Sequence, residues 1–209
     1  MTTDLKAEFV QVGRDLTAAG LAHGTSGNIS IRIGDDILVS PTGVRLGSLE
    51  PDALSVINLA GTHTGGPKPT KESLFHAAAY RERPDIRAVV HVHSHAVMAV
   101  SCLPDLNEAK PIPNLTPYFV MRVGKLALLP YLPPGDPGLA DVIGEAAKTC
   151  DAMILARHGS VLLGKTLADA AAATEELEAA AALYLALRPL GYTELSEAEV
   201  AELHRRYPR

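Results

Sequence analysis

The chain has 209 residues, 47% hydrophobic and 21% charged, a balance ordinary for a soluble globular protein with a well-buried core. A formal net charge of -5 argues against the basic stripe of a nucleic-acid binder, yet allows one local pocket that takes an anion. No apolar stretch reaches the roughly 18–20 residues of a membrane span.

The start, "MTTDLKAEFVQVGRD", lacks a signal-peptide pattern, and Cys102 and Cys150 stand in no metal or redox spacing. Together these predict a cytoplasmic protein. Cys102, in "MAVSCLP", reads as a small core residue.

In chain order, Leu5, Phe9, Val12 and Leu16 recur at helical spacing, so residues 4–20 predict an amphipathic helix stopping at Gly20. Ile29, Ile31 and Ile33 alternate with polar residues; "GDD" then turns the chain into "ILVS", a hairpin signal. "LSVINLAG" predicts a strand and "GTHTGGPKPT" a loop. "KESLFHAAAYRERP" predicts a helix ending before Pro84. "RAVVHVHS" predicts a short buried strand, turning at Ser94–His95 into a helix over "AVMAVSCL". Residues 104–117 are Pro-rich and irregular. "LALLPYL" predicts a strand, "PPGDP" a turn and "LADVIGEAAKTC" a helix. "DAMILARHGSVLLG" predicts two strands broken at "RHG", and a long Ala-rich helix follows to about Pro189. The tail "SEAEVAELHRRY" predicts a short helix capped by Ser196. There is no linker, repeat or strict βαβ rhythm, so one mixed α/β or α+β domain over residues 1–209 is expected.

"AVVHVHSHAV" places His91, His93 and His95 within an apolar run. A polar side chain there needs a partner. On a strand, residues i and i+2 share a face, so His91 and His93 would aim at one point. That is either a satisfied polar pair at a strand end or two ligands of a metal. His158 likewise ends an apolar strand, in "MILARHGSVLL". With His91 and His93 it would make three imidazoles with an open coordination position, the pattern of a catalytic zinc site. Glu72, near the start of the preceding helix, is a candidate carboxylate beside the metal; alone, it is equally a helix-start glutamate favoured by the dipole. His95 should lie past the strand, outside the metal sphere. His23, His63, His76 and His204 carry no pattern.

"TSGNIS" and "SPTG" flank the hairpin with small residues that let backbone N–H groups approach an anion, and "KPTKE" puts Thr70 and Lys71 just before a helix. Nucleotide motifs of the G-x-x-x-x-G-K-[ST] or G-x-G-x-x-G type are absent, as is the H-E-x-x-H of a zinc hydrolase.

Taken together, "SGNIS", "SPTG", "KPTKE", "VVHVHS" and "RHG" resemble, in order and spacing, the class II aldolase/adducin family over roughly residues 5–190. The resemblance implies a three-layer α/β/α fold with a mainly antiparallel central sheet. It implies Zn2+, or another divalent first-row metal, on His91, His93 and His158. It makes Glu72 the catalytic carboxylate and assigns Asn28, Thr42, Gly43 and Thr70 to the substrate phosphate. It also implies a homotetramer with sites at subunit boundaries, and Tyr118 matches a tyrosine that moves protons across such a boundary in the aldolases.

"PTKE", with Lys71 near a substrate carboxylate or phosphate, and "TPYFVMRVG" are closer to the branch that decarboxylates 3-oxo-tetronate 4-phosphate than to the L-fuculose 1-phosphate aldolases. "SPTGV" is nearer the aldolase form. Both reactions break a carbon–carbon bond beside a ketone and leave the enediolate of dihydroxyacetone phosphate, which a divalent metal stabilises as a Lewis acid. Two alternatives stay open: a sugar-phosphate aldolase, and a non-catalytic adducin-like interaction module, which would have no need of an open metal sphere.

Overall fold

The computed structural model describes residues 3–208. Its centre is an eight-stranded sheet in the order β4-β3-β2-β1-β5-β8-β7-β6. The strands are β1 (Asn28–Ile33), β2 (Asp36–Val39), β3 (Ser55–Asn58), β4 (His63–Gly65), β5 (Ala88–Val92), β6 (Leu126–Leu129), β7 (Ala152–Leu155) and β8 (Gly159–Gly164). All neighbours are antiparallel except β6 and β7. A parallel pair cannot be closed by a tight turn. The connection here is a helix, α5 (Gly138–Ala147).

The other helices are α1 (Thr3–Ala18), α2 (Ser73–Glu82), α3 (His95–Ser101), α4 (Pro117–Val123), α6 (Leu167–Leu187) and α7 (Glu197–Arg206). Period-2 alternation divides the strand side chains between two cores. On one face, Ile37, Ile57, Val89, Met153 and Val161 pack under α2 and α5. On the other, Ile29, Ile31 and Val90 pack under α1, while Ile154 and Leu162 pack under α3, α4 and α6. The fold is thus a mixed α/β sandwich with helices on both sides of a mostly antiparallel sheet. Among the described residues no helix is long and apolar enough to cross a membrane.

Three details differ from the sequence expectations. The stretch read as a loop before α2 contains the short edge strand β4, whose pairing with β3 shifts register between Val56 and Ile57. The stretch after Thr116 is helical: Thr116 accepts from the Phe119 amide at 3.1 Å, Pro117 fills the first turn and Gly124 ends the helix at φ 74°. Cys102 caps the C-terminus of α3 and is exposed; Cys150 is the buried cysteine. Ser196 caps α7 as expected, in a reciprocal box with Glu199.

The long helix α6 carries Ala170, Ala173, Ala180 and Ala181 toward the sheet, small side chains that let it lie close. Its first turn is fixed by Thr166, whose side chain accepts from the Asp169 amide at 3.0 Å. Replacing Thr166 with Ala should lower the unfolding free energy by about 1 kcal/mol in urea titrations, with the fold retained.

Candidate functional site

The site forms where β5, β8 and β1 meet the N-terminal end of α2. His91 is the penultimate residue of β5, paired across the sheet with Asn28 of β1 and Val161 of β8. His93 stands one residue beyond the strand, and the chain then enters α3 with Ser94 as N-cap. The Ser94 hydroxyl makes no cap bond; the Glu178 carboxylate of α6 accepts from the Ala96 and Val97 amides instead, at 2.8 and 3.0 Å. Glu178 therefore anchors the segment that carries His93, a role nothing in its helical sequence context announces. His158 comes from the β7–β8 turn.

The three imidazoles converge, with candidate ligand nitrogens all within 4.8 Å of one another. Their ring planes are mutually steep, 71° to 82°, as three ligands around one point require. His91 is fully buried and its Nδ1 lies 2.8 Å from the Ser160 carbonyl. That carbonyl can only accept, so Nδ1 carries the proton and Nε2 presents a lone pair inward. His93 Nε2 lies 2.9 Å from His91 Nε2. Both ring nitrogens of His158 are buried without a hydrogen-bond partner. A neutral imidazole has one N–H and one lone-pair nitrogen, and a buried lone pair left alone is costly unless a cation completes it, so the three rings fit a divalent metal with nitrogen preference. Burial and the neighbouring His91 and His158 push His93 down to about 3, which keeps its imidazole neutral and able to ligate.

Glu72 is the N-cap residue of α2 and is 8% exposed. Its Oε2 accepts from Asn28 Nδ2 at 2.7 Å and lies 3.3 Å from His91 Nε2. Its Oε1 lies 3.3 Å from His158 Nε2, without hydrogen-bond geometry. Burial alone would raise the Glu72 carboxyl, but the adjacent His91 and His158 rings and the Asn28 hydrogen bond outweigh it. They hold the group well below the usual carboxylate range.

Two glycines let the backbone close around this cluster. A Cβ at Gly159 would lie 2.5 Å from the Val92 carbonyl oxygen and 2.8 Å from His93 Cδ2. Gly27, at φ 83°, lies against the His91 carbonyl oxygen, 2.9 Å from where its Cβ would be. Arg157, immediately before His158, is the one non-glycine residue with positive φ among the described residues, at 56°. Its backbone N–H is held by the Ser101 carbonyl and hydroxyl, and its guanidinium lies over the Tyr131 ring.

In front of the histidine cluster is a cleft of about 230 Å³. Asn28, Thr42, Gly43, Thr70, Lys71, Glu72, His93 and His158, expected from sequence, all line it. The two small-residue loops are joined side by side: Thr42 N–H donates to the Lys68 carbonyl at 3.0 Å and Thr70 N–H to the Ser40 carbonyl at 3.1 Å. Thr25, Ser26 and Gly27 form the third wall. Gly135 of the turn before α5 lies against the Lys71 stem. Tyr118 is not in this cleft; it is 58% exposed in the first turn of α4. His95 is also outside, its ring against that of His23 at 4.3 Å. A larger cavity of about 600 Å³ lies at the opposite strand ends, by Arg83, Gly164 and Lys165, away from the histidines.

The model for the class II aldolase and adducin N-terminal domain matches residues 7–185. The chain belongs to this family. A 3-oxo-tetronate 4-phosphate decarboxylase of Haemophilus influenzae is 44% identical over 207 residues, 98% of this chain and 99% of that one. An L-fuculose phosphate aldolase of Methanococcus maripaludis is 38% identical, with 84% and 93% of the two chains covered. Among solved structures, YgbL of Klebsiella pneumoniae superposes with a TM-score of 0.93 at 41% identity, covering 97% of this chain and 99% of that one. The family's fold and the expected three-layer architecture agree.

Two outcomes test this geometry. Gly159→Ala should weaken divalent-metal binding by about 10–100-fold in calorimetric titration, because the added methyl displaces His93; unchanged affinity would contradict the packing described. The metal-free protein should lose thermal stability on acidification. His93 and His76, each lowered to about 3, contribute stability fully above the ordinary histidine range and lose it as pH falls. Glu72, also lowered, acts in the same direction at lower pH. His93→Gln should flatten the upper part of that slope.

Proposed function

We propose that this chain is a zinc-dependent lyase that decarboxylates 3-oxo-tetronate 4-phosphate to dihydroxyacetone phosphate and carbon dioxide. The observation that carries the reading is one small cleft lined by His93, His158, the Glu72 carboxylate, two phosphate-type loops and Lys71, with His91 buried beside it and converging on the other two imidazoles. The identity to the Haemophilus influenzae decarboxylase, over nearly both full chains, supports it.

His91, His93 and His158 would hold the metal, which supplies Lewis-acid stabilisation of the negative charge that develops as the carbon–carbon bond breaks. Thr42, Gly43, Thr70 and the "TSGN" wall suit the phosphate, where close backbone approach and hydroxyls meet a dianion. Lys71 supplies the cation that holds the substrate carboxylate before it leaves. Loss of carbon dioxide from C1 places the electron pair on C2, and the new carbon–hydrogen bond at C2 takes one proton. Glu72 starts as a carboxylate. Entry of an anionic substrate raises its proton affinity by like-charge repulsion, so it takes a proton from solvent and delivers it to C2.

Tyr118 would serve a neighbouring copy: it is exposed, outside its own chain's cleft, as a residue donated across a homotetramer boundary must be. A single domain over 1–209 is supported by the family match to 7–185 and by one continuous sheet. A cytoplasmic location is supported by two free cysteines, one of them exposed.

The second reading is a sugar-phosphate aldolase of the L-fuculose 1-phosphate type, favoured by the 38% identity to the Methanococcus maripaludis aldolase. Aldol cleavage releases an aldehyde and needs no cation for a departing carboxylate, so Lys71 favours the decarboxylase. A non-catalytic module has no use for the buried imidazoles and Glu72 together.

Zinc-loaded protein given 3-oxo-tetronate 4-phosphate should release dihydroxyacetone phosphate and carbon dioxide in equal amounts, and none from L-fuculose 1-phosphate. Glu72→Gln should lose about 10²–10⁴-fold in kcat at unchanged metal content. Dihydroxyacetone phosphate from the sugar phosphate alone would make the chain an aldolase.

A further inference from the structure

Behind Glu72 runs a second set of polar side chains, sealed in the core between β1 and α2. Glu72, His76 and Tyr80 follow one another at four-residue intervals on α2, so they form one stripe down the helix. Asn28 and Ser30 stand two residues apart on β1, on the sheet face that meets that stripe. Asn28, Ser30, His76 and Tyr80 are all at least nine-tenths buried, three of them fully. Their contacts form one chain. Asn28 Nδ2 lies 2.7 Å from Glu72 Oε2; Asn28 Oδ1 lies 2.5 Å from His76 Nε2. His76 Nδ1 lies 2.7 Å from Ser30 Oγ, which lies 2.8 Å from Tyr80 Oη.

The proton positions along this chain follow from its two ends. A carboxylate can only accept, so Asn28 must turn its amide nitrogen to Glu72 and its oxygen to His76. His76 must then donate from Nε2. Burial keeps this imidazole neutral, so its Nδ1 accepts from the Ser30 hydroxyl. Tyr80 in turn donates to Ser30 Oγ, 2.8 Å away, with the Ser30 carbonyl at 3.0 Å and the Arg87 carbonyl at 3.4 Å as further acceptors. Reversing any member would set two acceptors, or two donors, face to face in a dry interior, where an unmade hydrogen bond is most costly. Reversal at Asn28 would put its Oδ1 against the Glu72 carboxylate.

We propose that His76 is a positioning residue for Glu72: as the Nε2–H tautomer it orients the Asn28 amide, and through it fixes Glu72 Oε2 as the oxygen that accepts from Asn28 and keeps Oε1 turned toward His158. Its link to turnover rests on the lyase reading above; its tautomer and its hold on Asn28 do not. The arrangement also accounts for Asn28, whose carbonyl oxygen and one amide hydrogen are committed to the protein and leave a single hydrogen for a substrate anion.

The test contrasts two replacements of similar polarity. His76→Gln keeps a donor at the Nε2 position; His76→Asn keeps a polar group near Ser30 but cannot reach Asn28. At matched zinc content His76→Asn should lose about 10–100-fold in kcat with KM moved less than about threefold, whereas His76→Gln should stay within about threefold of the parent. Equal losses in the two variants, or no loss in either, would overturn the proposal. Nitrogen-15 spectra of histidine-labelled, zinc-loaded protein give a readout independent of turnover. They should show His76 as neutral with the proton on Nε2. A proton on Nδ1, or an imidazolium at neutral pH, would overturn it whatever the substrate is. If the parent protein fails to release carbon dioxide while the spectra show the Nε2–H form, the substrate reading falls and the positioning role stands.

Discussion

Antiparallel pairing of β5 between β1 and β8 is the constraint on which the site depends. That register sets Asn28 opposite His91 and brings the β7–β8 turn, with His158, to the same end of the sheet. A slip by one residue would turn His91 into the opposite core and Val90 or Val92 toward α2. Valines fill both faces of the strand, so they alone would tolerate a slip; what opposes it is His91, whose ring would leave the Ser160 carbonyl for an apolar core. The one polar residue within the strand thus helps fix where the imidazoles stand.

The cost of the cluster is met locally. Three imidazoles and a carboxylate in a largely dry region would destabilise the chain if left without partners. The Ser160 carbonyl, the Asn28 amide and the remaining nitrogen lone pairs divide the task. The first two are satisfied within the protein, and the lone pairs of His91, His93 and His158 are suited to a cation. Glycine at 159 and 27 contributes by absence of bulk, since a methyl at either position would overlap the β5 backbone.

Much of this could be read from residue patterns. His91, His93, His158 and Glu72 sit together because strand spacing, an apolar context and a helix start are local signals, and the hairpin and long helices follow from period and capping. His76 carried no such signal when read alone: its meaning lies in the four-residue stripe it shares with Glu72 and Tyr80, and in a partner strand more than forty positions away. Glu178 was invisible for the same reason, since it caps a helix over eighty residues distant. The α4 helix was legible in "TPYFVMRVG", where a Thr–Pro start and a Gly stop are ordinary helix punctuation, but the surrounding prolines masked it. Cys102 was placed in the core by its apolar neighbours, whereas the end of α3 turns it outward.

The cleft draws its walls from Thr25 to His158, and no single supersecondary unit supplies more than part of it. Separating β1 from β5, or β5 from β8, dismantles the whole of it. A bound metal ion or substrate therefore acts as a long-range cross-link, favouring the complete sheet over every partly folded form. Occupancy of the site and integrity of the fold become one cooperative event, in which ligand concentration sets how rarely the chain opens.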